Sequence, residues 1–137
     1  MLPLYGAVGG HREPGQQNLY VIESVLEKPT PTQAEQQLII PGLRAGHYLC
    51  YFGIHVLTAS VMELLARALK DSPSAAVPLT PTLDRLAKQE RYLAMELEGR
   101  RHNMAVQYGM LNAQLALALS GKDRAEVLAM LVEQLAK

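Results

Sequence analysis

Val25-Leu26-Glu27-Lys28-Pro29-Thr30-Pro31 is the stretch on which the reading of this chain turns. Apolar residues run into a carboxylate, an ammonium and then a rigid proline turn. Proline fixes φ and withholds an N–H, so the strand cannot continue past it. Opposite charges at the mouth of a buried strand are costly unless they pair or meet a ligand. In open α/β sheets ligands gather at strand ends. A lysine there is a point charge suited to a phosphate, and a glutamate accepts from sugar hydroxyls. The plain alternative is a solvated ion pair between Glu27 and Lys28 where strand meets loop.

Upstream, residues 18–26 alternate as a strand, with Tyr20, Ile22, Ser24 and Leu26 on one face and Leu19, Val21, Glu23 and Val25 on the other. Residues 4–8 predict a shorter strand ending at Gly9-Gly10, followed by a polar turn over 9–17. Gly9-Gly10-His11-Arg12 lacks the Lys-Ser/Thr pair or third glycine of a phosphate loop and reads as a hairpin turn.

Downstream, residues 32–37 suit one helical turn. Residues 47–57 form the most continuous apolar run and predict a central strand buried on both sides. Gly53 within it marks a bulge or a close approach of backbone or ligand. His47 and His55 stand about 26 Å apart along such a strand, too far to share a metal. His55 therefore reads as a hydrogen-bonded interior histidine. Thr58 or Ser60 is expected to cap a helix with the stripe Val61, Leu64, Leu65, Ala68 and Leu69. Residues 71–78 read as a linker, and Thr80-Pro81 as the cap and first residue of a helix burying Leu83, Leu86 and Ala87. Residues 91–98 alternate as a last strand, with Leu93, Met95 and Leu97 on one side. A polar loop at 99–103 precedes a helix over 104–119, stopped by Ser120-Gly121. Asp123 and Glu126 open a final helix with the stripe Val127, Leu128, Leu131, Val132 and Leu135.

Bulk properties narrow the classes. With 137 residues the chain is expected to be one domain, residues 1–137, ending in a helical pair over 104–137. Thirteen basic and thirteen acidic residues leave no basic excess for nucleic acid. No run approaches the ~20 apolar residues a membrane helix needs, and the start lacks a signal-peptide pattern. The lone cysteine, Cys50, suits a small hydrophobe in a reducing compartment. A soluble, cytoplasmic protein with neither nucleic acid nor membrane as partner is expected.

Four blocks taken together carry a resemblance: Tyr5-Gly6-Ala7-Val8, Val25-Leu26-Glu27-Lys28-Pro29, Gly53-Ile54-His55-Val56-Leu57-Thr58 and Gly99-Arg100-Arg101-His102-Asn103. In order and spacing they resemble the carboxyl-terminal half of UTP–glucose-1-phosphate uridylyltransferases, which are sugar-phosphate nucleotidyltransferases. The resemblance implies an α/β fold, the carboxyl-terminal half of a Rossmann-like nucleotidyltransferase with a mixed sheet and helices packed on it. It implies that Lys28 holds the sugar 1-phosphate, that Glu27 takes the sugar hydroxyls, and that the Gly6 backbone lies beside the sugar. Departures accompany it. Asn103 stands where the family usually has an aspartate that helps hold magnesium, Ala105 where it has glycine, and Gln107 where it has a phosphate-approaching lysine. Ala76 and Pro81 replace acidic residues around the Leu-Thr helix start, while Arg100 and Arg101 are retained.

The resemblance covers no amino-terminal, nucleotide-binding half with its glycine-rich loop. The chain alone is accordingly expected to be inactive and to hold no catalytic residues or magnesium of its own. One expectation is a split or truncated uridylyltransferase that binds glucose 1-phosphate and is completed by a nucleotide-binding chain. The other is a non-catalytic sugar-phosphate-binding or oligomerisation module. A homo-oligomer is expected in either case, because half a fold exposes strand edges and apolar faces.

Overall fold

Pro14-Gly15 makes the tight turn that folds two strands onto each other: Gly15 sits at φ +77°, a conformation glycine adopts freely. In this computed structural model, which describes residues 2–71 and 76–136, β1 (Gly6–Arg12) and β2 (Leu19–Glu27) form the central antiparallel pair. Gly9 and Gly10 belong to β1 and are not the hairpin turn. The edges are β3 (Leu49–Tyr51) beside β1 and β4 (Tyr92–Met95) beside β2, giving the order β3-β1-β2-β4. All three ladders are antiparallel, so among the described strands the sheet is not the mixed one expected. The α/β class holds.

The β1–β2 ladder carries a bulge. Gly9 pairs with Ser24 and Gly10 with Ile22, leaving Glu23 over. The extra residue reverses the alternation along β2. Tyr20, Ile22 and Val25 therefore share one face, where simple alternation separates Val25 from the other two. Gly10 is what lets the bulge close: a β-carbon there would collide with the Val21 carbonyl oxygen.

Both faces of the sheet are covered in part. On the first, Val8, Tyr20, Ile22 and Val25 pack with Ile40 and with Leu83 of α3 (Leu79–Gln89). On the second, Ala7 packs with Ala34 and Leu38 of the segment formed by α1 (Pro31–Gln37) and its carboxyl cap. Thr30 caps α1 in a reciprocal box with Gln33, and Pro31 starts the helix with its φ already set. α2 (Ala59–Asp71) buries Val61 and Leu64 against Leu86 of α3. Ser60 lies inside α2, so Thr58 takes the place before the first helical residue. The middle of the expected linker, residues 72–75, lies outside the described residues.

Two strands differ from expectation. β3 keeps only three residues and sits at a sheet edge. Gly53 at φ +75° turns the chain away after Tyr51, and nothing approaches the side-chain space of Gly53. Ile54 and Val56 are then left exposed, Val56 at 96%. In β4 the inward residues are Tyr92 and Ala94, while Leu93, Met95 and Leu97 point outward.

The chain falls into two compact units, 1–97 and 98–137. The second contains α4 (Gly109–Ser120) and α5 (Arg124–Leu135), which pack on each other. α4 starts five residues later than expected, because Tyr108 takes a left-handed conformation at φ 58° and breaks any helix from 104. Asp123 stands at the cap of α5 without a side-chain capping bond.

Candidate functional site

The register of the sheet builds the site. Gly6 of β1 pairs with Glu27 of β2 on one side and with Tyr51 of β3 on the other. Residues directly opposite in a ladder project from the same face. Glu27 and Tyr51 thus flank a position that has no side chain. The Tyr51 ring crosses it: a β-carbon on Gly6 would overlap the ring and its hydroxyl. The Tyr51 hydroxyl donates to Glu27 Oε2 at 3.0 Å. Thr80, in the first turn of α3, donates to the same oxygen at 2.8 Å and lies 2.8 Å from the Tyr51 hydroxyl. Thr80 is therefore not the helix cap that its sequence suggests; Pro78 holds that position. Burial pushes the Tyr51 hydroxyl up to about 12, and the Glu27 carboxylate adds to the rise. The phenol stays protonated across the physiological range and remains a donor.

Lys28 follows with an unusual backbone. Its φ is +46°, left-handed for a side chain with a β-carbon, and it precedes the fully buried Pro29. Such a conformation costs roughly 1–2 kcal/mol. Lys28 N–H donates to the Tyr5 carbonyl at 3.1 Å, which ties the turn to the start of β1. The Lys28 side chain is exposed, and its ammonium forms no ion pair or hydrogen bond among the described residues. Glu27 turns to Tyr51 and Thr80, so the plain Glu27–Lys28 ion pair does not form. Gly6, Glu27 and Lys28 thus lie side by side at the end of the β1–β2 pair.

A cleft of about 390 Å³ opens on the same unit, lined by β3 and β4 with the chain that follows each, and by Val8 and Ile22 of the strands between them. Tyr51 lines it; Gly6, Glu27 and Lys28 do not. Its walls are mostly apolar, with Phe52, Ile54, Val56, Leu93, Met95 and Leu97 among them. His55 is half-buried there, its Nδ1 3.1 Å from the Tyr92 hydroxyl and its ring edge-on to Tyr51. The hydrogen bond expected of it is present.

The loop at 99–103 belongs to the second unit. Asn103 Oδ1 accepts the Ala105 N–H at 3.1 Å, a local turn. No group of three or more His, Cys, Asp or Glu able to hold a metal occurs among the described residues. A neutral amide already engaged with its own backbone is a poor magnesium ligand, and no chemical step is assigned to a metal here.

Antiparallel strands with α3 laid across one face, and a Glu-Lys-Pro turn at the end of the central β1–β2 pair, are the arrangement that the comparisons match. Solved structures it resembles include UDP-glucose pyrophosphorylases. One, complexed with UDP-glucose, matches with a TM-score of 0.62 and 23% identity over 88% of this chain and 40% of that one. The UTP-bound enzyme of Acinetobacter baumannii matches with a TM-score of 0.66 and 23% identity over 98% and 41%. Curated relatives carry the same activity in their names. The UTP–glucose-1-phosphate uridylyltransferase of Streptococcus pneumoniae serotype 4 is 30% identical over 117 residues, 84% of this chain and 34% of that protein. Uridylyltransferase 2 of Streptococcus pyogenes serotype M1 is 29% identical over 121 residues, 87% and 36%. The chain spans about a third of the length of these curated relatives. No protein-family model matches it.

Sequence reasoning missed Tyr51 and misplaced Thr80. Tyr51 sat in a run read as buried strand, and its meeting with Glu27 depends on ladder register, which the sequence does not display. Thr80 could have been found from the Leu-Thr helix start, had its hydroxyl been aimed across the sheet instead of at its own helix.

Proposed function

We propose that this chain is the sugar-phosphate-binding part of a uridylyltransferase-like protein. Lys28 receives the 1-phosphate of glucose 1-phosphate, Glu27 accepts from the hexose hydroxyls, and Gly6, buried beneath the Tyr51 ring, lies beside them. The observation that carries this reading is Lys28 itself. A strained backbone is retained where the surroundings or the function require it, and here it presents an ammonium without a protein partner among the described residues. Beside it, Tyr51 and Thr80 hold one oxygen of Glu27. A charge-assisted bond to phosphate is strong where water is partly excluded. A carboxylate built to meet hydroxyls discriminates against analogues lacking them.

Uridylyl transfer places the sugar phosphate in line with the α-phosphorus of UTP, and pyrophosphate leaves. Catalysis of this kind is mostly positioning and charge stabilisation. We assign the nucleotide and its magnesium to polypeptide outside these 137 residues, so this chain alone turns nothing over. Cys50 is half-buried and in no disulfide among the described residues, which suits a reducing, cytoplasmic setting. The exposed Ile54 and Val56 favour association of copies. A non-catalytic sugar-phosphate module is the second reading, favoured by Asn103, Ala105 and Gln107.

Calorimetric titration with glucose 1-phosphate tests the proposal. Wild type is expected to bind, while Lys28→Ala and Lys28→Gly both lose the heat. Equal heats from all three would overturn it. Mixing the chain with the amino-terminal half of a uridylyltransferase, UTP and Mg²⁺ then separates the two readings: turnover supports the split enzyme, binding alone the module.

A further inference from the structure

We infer that Tyr51 positions Glu27 for the sugar, and that Gly6 serves the site through Tyr51. The inference rests on the sugar-phosphate reading above and deepens it. Strands in a sheet lie ≈ 4.7–4.9 Å apart, so residues two strands apart stand roughly 10 Å from each other and do not ordinarily touch. Glu27 and Tyr51 are such a pair, with Gly6 between them in register. They meet because the middle residue has no side chain and the Tyr51 ring lies across it. The hydroxyl then reaches Glu27 Oε2 at 3.0 Å, and Thr80 closes on the same atom at 2.8 Å from the other element. Both bonds fall on one oxygen. That fixes the carboxylate's orientation and reserves the second oxygen for a ligand hydroxyl. A protein surface carboxylate otherwise samples several rotamers and must be ordered at the moment of binding. An alanine at position 6 would push the ring away and release Glu27, without touching the carboxylate itself.

The test is a double-mutant cycle with two readouts on the whole chain. Tyr51→Phe keeps the ring and removes the hydroxyl; it is expected to weaken glucose 1-phosphate by about tenfold. Gly6→Ala is expected to weaken it by a similar factor. In a Tyr51→Ala background, Gly6→Ala is expected to cost nothing further, in binding or in thermal midpoint. The second readout needs no sugar: Glu27→Gln is expected to lower the pH at which Tyr51 ionises, followed by NMR titration. If wild type binds no glucose 1-phosphate, the sugar-phosphate reading and this inference both fall. If wild type binds and Tyr51→Phe binds equally well, only this inference falls. Equal losses from Gly6→Ala in both backgrounds would likewise show that Gly6 acts independently of Tyr51, and an unmoved Tyr51 titration would show that the two side chains are not coupled.

Discussion

At the scale of single residues, position 28 separates stability from binding. Lysine and alanine both carry a β-carbon and both are strained at φ +46°. Glycine is not. Lys28→Gly is therefore expected to be more stable than Lys28→Ala by about 1 kcal/mol in urea unfolding, although both lose the ammonium. The opposite order would show that the left-handed turn is not a strain. Tyr51 gives a second handle. Its folded pKa is raised from 10 to about 12. A group raised in the folded state contributes stability that is fully present below its unfolded pKa and lost as pH rises through the folded one. Stability is expected to fall between about pH 10 and pH 12. Tyr20 and Tyr92, also raised chiefly by burial, act in the same direction. Tyr51→Phe should flatten part of that slope, as read from denaturant midpoints across the alkaline range.

At the scale of elements, the bulge and the first-face core dominate. Gly10→Ala forces a methyl group into the Val21 carbonyl oxygen and is expected to destabilise by about 2–3 kcal/mol. Leu83→Ala empties a fully buried site beneath β2 and is expected to cost about 2–5 kcal/mol. Chemical denaturation measures both, and a neutral Gly10→Ala would mean that the ladder repairs itself. How much was legible follows from the same elements. β2, α2 and α3 were visible because apolar period reports which residues want burial: Val61, Leu64, Leu83 and Leu86 are buried, although Leu69 of the α2 stripe is exposed. The face assignment along β2 failed because one residue left over by the β1 ladder inverts every later side chain. The run at 47–57 misled for a different reason. Apolarity marks the wish for a partner, yet Gly53 turns the chain off the sheet before Ile54 and Val56 find one.

At the scale of the whole molecule, the two units are joined by irregular chain around Arg100 and Arg101, both exposed. Loops of this kind are the preferred sites of nicking. Brief trypsin treatment is expected to cut there and release two fragments resistant to further digestion. First cleavage within α3 would contradict the division. The candidate site was only half legible at this scale. Gly6, Glu27 and Lys28 came from local chemistry and resemblance, and the fold sets them together. Tyr51 and Thr80 lie 24 and 53 residues from Glu27, and only long-range pairing brings them to it.

Glu23, which the β1 ladder leaves over, gives β2 slack. Because the ladder beyond it is already locked to β1 from Ser24 to Glu27, a chain shortened by that one residue should simply knit closed and keep its carboxylate facing Tyr51. Lengthening the strand by one residue between Ser24 and Glu27 has no such reserve and would swing Glu27 to the far side. Tolerance to changes of length in this segment should therefore be one-way.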